Sequence, residues 1–325
     1  MCKLAQSMFD NCMQYVFNWH YHIVNALILH AILRYEAKEL EMTKLKSRVQ
    51  SDEILVAPGV FDLISAKVAD SIGFDVLYMT GYGVVASHLG LPDAGLATYT
   101  DMVGRVRQIA EGINVPLIAD GDTGYGGLLN VQHTVAGYEA AGASAIQLED
   151  QEFPKKCGHM AGRRVIPLED MVAKIRVAKD TRSSDDFMII ARTDTRTVHG
   201  LDEALRRADA FAEAGADILF VESPESEEEM RTICERFDHP LVANMVEGGR
   251  TPVLTKDELQ KLGYKIALFP GSGFLATAAA LDATYRDLKK NGSTSGSEVV
   301  FYNFADFSQL MGFGEVYEFE RKYQK

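Results

Sequence analysis

One short segment gathers most of the reactive side chains of this chain. Residues 154–164 read PKKCGHMAGRR, so a thiol, an imidazole, two glycines and four cations follow one another closely. A cysteine in such a glycine-bearing, cation-rich segment differs from a buried structural cysteine. The lysines and a protonated His159 would lower the pKa of the Cys157 thiol, whereas the acidic residues before the segment would raise it. We therefore predict a thiol that titrates near neutrality and can either deliver a proton or attack.

Two aspartates upstream suggest a divalent metal ion. The run DGDTGYGG (120–127) places Asp120 and Asp122 at i, i+2, so on an extended strand both side chains leave the same face, about 6–7 Å apart. Glu149 ends another apolar run, and three crowded carboxylates repel one another unless a cation joins them. An all-oxygen set with few protein ligands suits Mg²⁺ or Mn²⁺. The alternative, that such aspartates only cap helices, stays open at this point.

The elements that must position these residues form a regular pattern. Eight short apolar, β-branched runs lie at 54–58, 75–81, 116–122, 144–150, 187–193, 217–223, 240–247 and 265–271. Between them, stretches such as 131–143 and 201–216 carry apolar residues at i, i+3, i+4 and end at Gly142 and Gly215, which fit helix C-caps. Eight strand–helix repeats predict an α/β fold, a (β/α)₈ TIM barrel, although an open doubly wound sheet has similar local patterns.

Polar residues fall mainly at the C-terminal ends of these runs. They are Thr80, Gly81 and Tyr82 after the second run, Asp120 and Asp122 after the third, Glu149 and Asp150 after the fourth, Arg192 and Asp194 after the fifth, Glu222 after the sixth, Asn244 and Glu247 after the seventh, and Ser272 after the eighth. In a TIM barrel these ends surround one mouth, so we expect the side chains to converge on one pocket. Ordinary strand-end polarity explains one or two such ends, but it explains carboxylates and an arginine at five ends poorly.

Composition narrows the function classes. A net charge of −13 without a basic block argues against nucleic acid as a partner. The four cysteines form no C-x-x-C pair, so neither a disulfide framework nor a structural zinc site is indicated, and a reducing, cytoplasmic location is expected. Residues 14–33 lack Asp, Glu, Lys and Arg and approach the length of a membrane span, but histidines and asparagines weaken that interpretation. For residues 1–41 we keep three alternatives: a non-essential extension, an organelle-targeting segment, and a packed helix or anchor.

Several segments together resemble the isocitrate lyase/phosphoenolpyruvate mutase superfamily. They are TGYGVVASHLGLPD, DGDTGYG, QLEDQ, KKCGH, ARTD, VESP and ANMVEGG, and KKCGH is the most specific of them. The resemblance covers residues 52–325. It is greatest to the branch that contains 2-methylisocitrate lyase, dimethylmalate lyase, oxaloacetate hydrolase and petal death protein. Mutase and phosphonopyruvate hydrolase members carry an asparagine-containing loop in place of KKCGH, so the resemblance implies carbon–carbon cleavage.

The family pattern also implies a role for each matching residue. The matching positions are Asp120, Asp122 and Glu149 for the metal ion; the backbone N–H groups of Thr80, Gly81 and Tyr82 for the substrate carboxylate, with Asp93 beside them; Arg192 for the 2-oxo acid half; Glu222 and Asn244 for the remaining wall; and Lys155, Cys157, Gly158 and His159 for a mobile catalytic loop. Cys157 would be the general acid. Tyr78 is a candidate initial base, although its reference pKa of about 10 makes it a poor one without a metal ion.

The implied reaction is the Mg²⁺-dependent cleavage of a 2-hydroxy di- or tricarboxylate, of the 2-methylisocitrate or 2,3-dimethylmalate type. Its products are a 2-oxo acid such as pyruvate and a carboxylic acid. Ala161 offers no hydroxyl to orient a hydrated ketone, which favours a lyase over an oxaloacetate hydrolase. Phosphonomutase-type chemistry stays open, because residues 270–274 (PGSGF) open a helix where barrels often bind phosphate. Arg250 either contacts a distal carboxylate or lies on the surface, and an inactive oligomeric scaffold is the non-enzymatic alternative.

The resemblance has a further implication for assembly. Members of the family exchange their last barrel helix between subunits, usually as dimers of dimers. We therefore expect residues 42–290 to form the catalytic barrel and residues 291–325 to form a linker and a swapped helix. A helix docked on its own barrel is the alternative.

Overall fold

The computed structural model describes residues 45–160 and 162–324. The predictions made for residues 1–41 and for Ala161 lie outside these ranges. The strands are β1 (Leu55–Val60), β2 (Leu77–Met79), β3 (Leu117–Asp120), β4 (Ala145–Glu149), β5 (Met188–Thr193), β6 (Ile218–Val221), β7 (Val242–Asn244) and β8 (Ile266–Phe269). They form one parallel sheet in the order β6-β5-β4-β3-β2-β1-β8-β7. A bridge between Leu219 and Leu241 joins its two edges, so the sheet is a nearly closed barrel. The predicted (β/α)₈ TIM barrel is confirmed.

Helices alternate with the strands along the chain. They are α1 (Leu63–Ile72), α2 (Gly81–Val84), α3 (Tyr99–Gly112), α4 (Leu128–Ala141), α5 (Leu168–Thr181), α6 (Arg196–His199), α7 (Leu201–Ala214), α8 (Glu227–Arg236), α9 (Lys256–Leu262), α10 (Ser272–Asn291), α11 (Phe304–Leu310) and α12 (Phe313–Tyr323). A π-helical turn, Val85–Leu89, follows α2 directly. As predicted, α4 and α7 end at Gly142 and Gly215, both in the left-handed conformation. Among the residues that the structure describes, no helix has the length and apolar character needed to cross a membrane.

Two hydrophobic layers hold the barrel together. The inner layer contains alternate strand residues, among them Leu55, Ala57, Tyr78, Ile118, Ile190, Phe220, Ile266 and Leu268. Leu45 and Val49, from a helical turn before β1, belong to the same cluster and are buried. Their neighbours in it include Val76 and Met188 at strand beginnings, so the turn covers the amino-terminal end of the barrel. The outer layer packs strand residues against the helices, and the opposite, carboxyl end is left open for a site.

The last three helices, α10, α11 and α12, contain no buried residue, a feature that they share only with the four-residue α6 among the helices given above. Apolar side chains are exposed along them, including Tyr285 at 61%, Phe304 at 85% and Phe319 at 65%. A helix docked on its own barrel would bury an apolar stripe, and none of the three does so in the single chain. The domain boundaries and the exchange of the last helix between subunits stay predictions.

Candidate active site

A cavity opens at the carboxyl ends of the strands. The predicted site residues in its wall are Tyr78, Thr80, Tyr82, Asp93, Asp120, Glu149, Lys155, Cys157, Gly158, His159, Arg192 and Asn244. The three others contact this wall directly: Gly81 through Asp120, Asp122 through Lys155, and Glu222 through Arg192. The structure therefore brings all the predicted site residues to one mouth of the barrel, and their catalytic roles stay predictions.

Asp120 is the last residue of β3, and its carboxylate is held on both sides. Its Oδ2 accepts a hydrogen bond from Gly81 N at 3.2 Å, and its Oδ1 accepts one from Asp122 N at 3.1 Å. Asp120 and Asp122 do not leave one face of a strand as predicted, because β3 ends at Asp120 and Asp122 has a left-handed φ of 47°. The turn instead directs Asp122 towards Lys155, whose Nζ lies 2.5 Å from its Oδ1.

The backbone after β2 corrects another expectation. The resemblance implied that N–H groups of Thr80 and Gly81 bind the substrate carboxylate. In the structure Thr80 N donates to Val60 O at 3.0 Å, and Gly81 N donates to Asp120 Oδ2 at 3.2 Å. These two donors are therefore already used, and they fix the end of β2 to its neighbours. A Cβ at position 81 would lie 2.6 Å from Asp120 Oδ2, which explains the glycine.

Asp122 and Glu149 are buried carboxylates, and the cations Lys155 and Arg192 only partly offset the effect of that burial on their pKa values. Burial raises the pKa of Asp122 to about 7, against the opposing effect of the Lys155 ammonium. Burial also raises the pKa of Glu149 well above its usual value, although Arg192 opposes the shift. Among the described residues, Glu149 Oε1 is buried and has no hydrogen-bond partner. A cation near these oxygens would relieve both the repulsion and the unsatisfied acceptor.

The carboxylates fit Mg²⁺ or Mn²⁺, although they do not form a complete ligand set by themselves. Within residues 45–160 and 162–324, no group of three or more His, Cys, Asp or Glu side chains is already arranged to hold a metal ion. Mg²⁺ does not need such a group, since it usually keeps several waters and takes one or two carboxylates. Asp120, Asp122 and Glu149 offer only oxygen donors, as a hard cation requires.

We call residues 154–160 the thiol segment, and it lies in the wall of the cavity. Lys155 Nζ lies 2.5 Å from Asp93 Oδ1, and Cys157 N donates to Asp93 O at 3.2 Å. Further along, Ser223 Oγ donates to Gly158 O at 3.2 Å. A Cβ at position 158 would collide with Arg192 Nη2, so only glycine allows the segment to approach Arg192 this closely.

The protonation states of the thiol segment differ from those expected. Burial raises the pKa of the Cys157 thiol, although a hydrogen bond from the His159 backbone lowers it. Burial lowers the pKa of the His159 imidazole, although Glu222 opposes the shift. The prediction of a protonated His159 beside a thiol that titrates near neutrality is therefore wrong. A neutral thiol is the form that a proton donor needs.

His159 is oriented by the loop after β7. Arg250 N donates to His159 Nδ1 at 3.2 Å, so the ring proton of the neutral imidazole lies on Nε2, 3.6 Å from Glu222 Oε1. Asn244 Nδ2 donates to Glu222 Oε2 at 2.9 Å, while its buried Oδ1 has no hydrogen-bond partner among the described residues. The Arg250 side chain is partly exposed and pairs with Glu225 at 3.4 Å, which favours its surface alternative.

Arg192 is the central cation of the cavity wall. Its Nε and Nη2 donate to the two oxygens of Asp194, each at 2.9 Å, and Nη2 lies 3.2 Å from Glu222 Oε2. Its guanidinium carbon also lies 5.1 Å from the centre of the Phe220 ring. The guanidinium therefore has a fixed direction and keeps its charge although it is buried.

Tyr78 is poorly suited to act as a base. Its hydroxyl donates to Gln147 Oε1 at 3.1 Å, and burial, followed by the charge of Asp120, raises the pKa of the phenol well above 10. A phenol in this environment stays protonated and donates a hydrogen bond, so the structure argues against the suggested base role.

Sequence reasoning missed several residues of this site. Gln147 links Tyr78 to Asp120, because its Nε2 donates to Asp120 Oδ1 at 3.3 Å. The sequence could have indicated Gln147, because Gln147 and Glu149 are two residues apart on β4 and therefore lie on the same face of the strand. An apolar wall was also missed, and it consists of Phe220, Val246, Leu268, Pro270 and Phe274, with the Tyr82 ring 5.2 Å from the Phe274 ring. The inward-facing positions of β6 and β8 would have indicated part of it.

Comparison with known proteins gives consistent matches. A family model described as phosphoenolpyruvate phosphomutase matches residues 45–289. The chain is 51% identical over 281 residues to 2,3-dimethylmalate lyase of Eubacterium barkeri, which covers 86% of this chain and 97% of that protein. It is 41% identical over 283 residues to 2-methylisocitrate lyase of Aeropyrum pernix, which covers 87% of this chain and 91% of that protein.

Solved structures give the same result. Oxaloacetate acetylhydrolase in complex with the inhibitor 3,3-difluorooxalacetate superimposes with a TM-score of 0.82 at 34% identity, over 86% of this chain and 95% of that chain. The trigonal crystal form of 2,3-dimethylmalate lyase, described as a PEP mutase/isocitrate lyase superfamily member, has a TM-score of 0.80 at 35% identity, over 89% and 95%. A phosphonopyruvate hydrolase complex with oxalate and Mg²⁺ has a TM-score of 0.78 at 28% identity, over 88% and 99%.

Proposed function

The chain belongs to the PEP mutase/isocitrate lyase superfamily and is a carbon–carbon lyase, and from this premise we propose its cofactor and substrate. We propose that it uses Mg²⁺ to cleave a methyl-substituted 2-hydroxy dicarboxylate, of the 2,3-dimethylmalate type, into a 2-oxo acid and a second carboxylic acid. The observation that carries the proposal is the meeting of a neutral thiol, three carboxylates and a buried guanidinium around one cavity. These are the groups that such a cleavage needs.

In this proposal the charged wall binds the half of the substrate that becomes the 2-oxo acid. Arg192 donates to its carboxylate and 2-oxygen, and Asn244 Oδ1 accepts from the hydroxyl. Asp120, Asp122 and Glu149 would hold Mg²⁺, which when bound supplies Lewis-acid polarisation of the same oxygens. The proposal is supported by the buried, unsatisfied oxygens of Glu149 and Asn244 and by the phosphonopyruvate hydrolase structure that contains Mg²⁺.

The cleavage moves two electron pairs. It removes one proton from the C2 hydroxyl and adds one proton to C3. The C2 hydroxyl loses its proton as the C2–O bond becomes a carbonyl, and the C2–C3 bond breaks with its electron pair going to C3. The Cys157 thiol then donates its proton to C3, which completes the second carboxylic acid. Lys155 lines the same cavity as the thiol and adds positive charge where the leaving fragment is negative. The proton lost by the hydroxyl passes to solvent, and the Cys157 thiolate takes up a proton from solvent before the next turnover, so the protons balance.

The apolar wall supports a methyl-substituted substrate. Phe220, Leu268 and Phe274 line the same cavity as the charged groups, and such an apolar surface favours an alkyl substituent over a further carboxylate. For this reason we place the 2,3-dimethylmalate type before the 2-methylisocitrate type, which has three carboxylates. The 51% identity to 2,3-dimethylmalate lyase supports the same order.

Oxaloacetate hydrolysis is the second candidate function. It is supported by the similarity to oxaloacetate acetylhydrolase in complex with 3,3-difluorooxalacetate, which combines a TM-score of 0.82 with 34% identity. Phosphonomutase-type chemistry is a weaker candidate, because Pro270 and Phe274 of the PGSGF segment contribute apolar surface to the cavity.

We also propose that α10, α11 and α12 pack against a second copy of the chain, in a dimer or a dimer of dimers. The absence of buried residues in these three helices and their exposed aromatic side chains support this proposal. Light scattering after size-exclusion chromatography tests it, because a monomeric mass for the full chain would contradict it.

A substrate panel tests the proposed reaction. The full chain is incubated with Mg²⁺ and with 2,3-dimethylmalate, 2-methylisocitrate or oxaloacetate, and pyruvate and oxalate are quantified. We expect pyruvate from 2,3-dimethylmalate with the highest kcat/KM of the three. Oxalate as the main product would instead favour the hydrolase, and ³¹P NMR with a phosphonate substrate would detect the mutase reaction.

A further inference from the structure

We propose that Arg163 is a positioning residue, which links the thiol segment to Arg192 through the carboxylate of Asp194. The inference deepens the proposed function and rests on it for one point, that Arg192 binds a carboxylate of the substrate. Neither Arg163 nor Asp194 lines the cavity, so both would act through another residue.

The side chain of Arg163 is built into the interior, although it follows the thiol segment by only a few residues. Arg163 is 6% exposed, its Nη1 lies 2.5 Å from Asp194 Oδ1, and its Nη2 donates to Thr197 Oγ1 at 2.6 Å. These contacts attach the end of the thiol-bearing loop to the chain that follows β5. Moving the loop away from the barrel would separate a buried ion pair, which is costly.

The partner of Arg163 is itself held from several directions. Asp194 is fully buried, and both of its oxygens accept hydrogen bonds from Arg192. Asp194 N donates to Asp150 Oδ1 at 2.8 Å, and Asp150 in turn pairs with Arg207 at 2.9 Å. The carboxylate of Asp194 is therefore held in place, and its Oδ1 is shared by the guanidiniums of Arg163 and Arg192.

Because Arg192 shares the carboxylate of Asp194 with Arg163, its own positive charge is less completely neutralised. Asp194 alone would neutralise Arg192, whereas Arg163 takes part of the negative charge of Asp194. Although burial opposes its ionisation, the guanidiniums of Arg192 and Arg163 hold the pKa of Asp194 below its usual value. Arg192 therefore keeps attraction for a bound carboxylate, and its direction into the cavity depends on where the loop places Arg163.

The next residue along the chain is a matched control. Arg164 also makes an ion pair, with Glu152 at 2.5 Å, but its side chain is 70% exposed and that of its partner 46% exposed. An exposed pair of this kind contributes little to structure. Replacing Arg164 removes the same charge from the same loop without changing the contacts of Asp194.

Two measurements on the full-length variants test the proposal. The first is the rate at which N-ethylmaleimide alkylates Cys157, read from the peptide that contains it by mass spectrometry. The second is the affinity for oxalate in the presence of Mg²⁺, measured by isothermal titration calorimetry. For R163M we expect alkylation to be about tenfold faster and oxalate binding about tenfold weaker, because a fixed segment and a fixed charge-assisted donor are both lost. R163K should recover part of both losses, and R164M should remain within about twofold of the wild type on both.

The outcomes separate this inference from the proposed function. Wild-type alkylation or wild-type oxalate affinity in folded R163M would overturn the inference, as would a wild-type chain that does not bind oxalate. If R163M does not fold, T197V and R163K decide, and unchanged values in both would overturn it. A wild-type chain that binds oxalate but cleaves none of the three acids would contradict the proposed function and leave the role of Arg163 intact.

Discussion

The two walls of the cavity are built on different physical principles. In the charged wall, Arg192 pairs with Glu149 at 3.5 Å and with Glu222 at 3.2 Å. Asp120 is held there by hydrogen bonds from Gly81 N and from Gln147 Nε2. In the apolar wall, Leu268 belongs to the inner hydrophobic layer, and the Phe274 ring packs against the rings of Tyr82 and Phe61. A change in the first wall therefore alters charge and chemistry, whereas a change in the second alters shape and the choice of substrate.

Removing a carboxylate from the charged wall should have the largest effect. For Asp120→Asn we expect kcat/KM with 2,3-dimethylmalate to fall about 10⁴-fold, because a metal ion contributes several kcal/mol and each 1.4 kcal/mol is a factor of ten. Steady-state assay of pyruvate release measures this, and thermal unfolding by circular dichroism controls for folding. Activity within tenfold of the wild type would remove Asp120 from the reaction.

Removing the thiol should have the next largest effect and should separate chemistry from binding. For Cys157→Ser we expect kcat to fall about 10³-fold, since a serine hydroxyl is a much weaker acid, while oxalate affinity stays within about threefold. Cys234→Ser is the matched control, because Cys234 pairs with Tyr264 and burial raises the pKa of its thiol to about 12. Loss of oxalate binding in Cys157→Ser would show that the thiol supports the site rather than the proton transfer.

Changing the apolar wall should affect selectivity more than rate. Phe274 contacts Tyr82 and Phe61 by ring packing, so Phe274→Ala opens the wall. We expect kcat/KM for 2,3-dimethylmalate to fall about tenfold relative to malate, as a pocket loses contact with methyl groups. Leu129→Ala, at a position that is 81% exposed, is the control. An equal loss for both acids would mean that this wall does not select the methyl groups.

The smallest effect on kcat is expected for a substitution of Tyr78. The size of this effect distinguishes a hydrogen-bond donor from a general base. Tyr78→Phe removes the hydrogen bond that the Tyr78 hydroxyl donates to Gln147 Oε1. We therefore expect kcat to fall about fivefold. A general base would cost about 10²–10⁴-fold instead. A decrease of that size in a folded variant would restore Tyr78 as the initial base.

The barrel and the place of the site could be predicted from the sequence, because both follow from local patterns. Apolar runs with polar ends gave all eight strands, and Gly142 and Gly215 marked two helix ends. The turn at Asp122 could not be predicted, since an i, i+2 spacing does not reveal that the strand ends at Asp120.

The protonation states of Cys157 and His159 also could not be predicted from the sequence. Neighbouring charges along the chain suggested a protonated His159 beside a Cys157 thiol that titrates near neutrality. Desolvation instead dominates at both, and it depends on how deeply the folded chain buries them. The link from Arg163 to Asp194 was likewise invisible, because these two residues meet only in the folded barrel.

The central claim is that carboxylates at the ends of β3 and β4 hold Mg²⁺ while the Cys157 thiol protonates the released fragment. Pyruvate release from 2,3-dimethylmalate, followed for the wild type and for Cys157→Ser in Mg²⁺ and in excess EDTA, tests it most directly. The predicted result is steady release by the wild type in Mg²⁺, background in EDTA with recovery when Mg²⁺ is restored, and background for Cys157→Ser throughout. Full-speed release in EDTA, or wild-type turnover by Cys157→Ser, would contradict it.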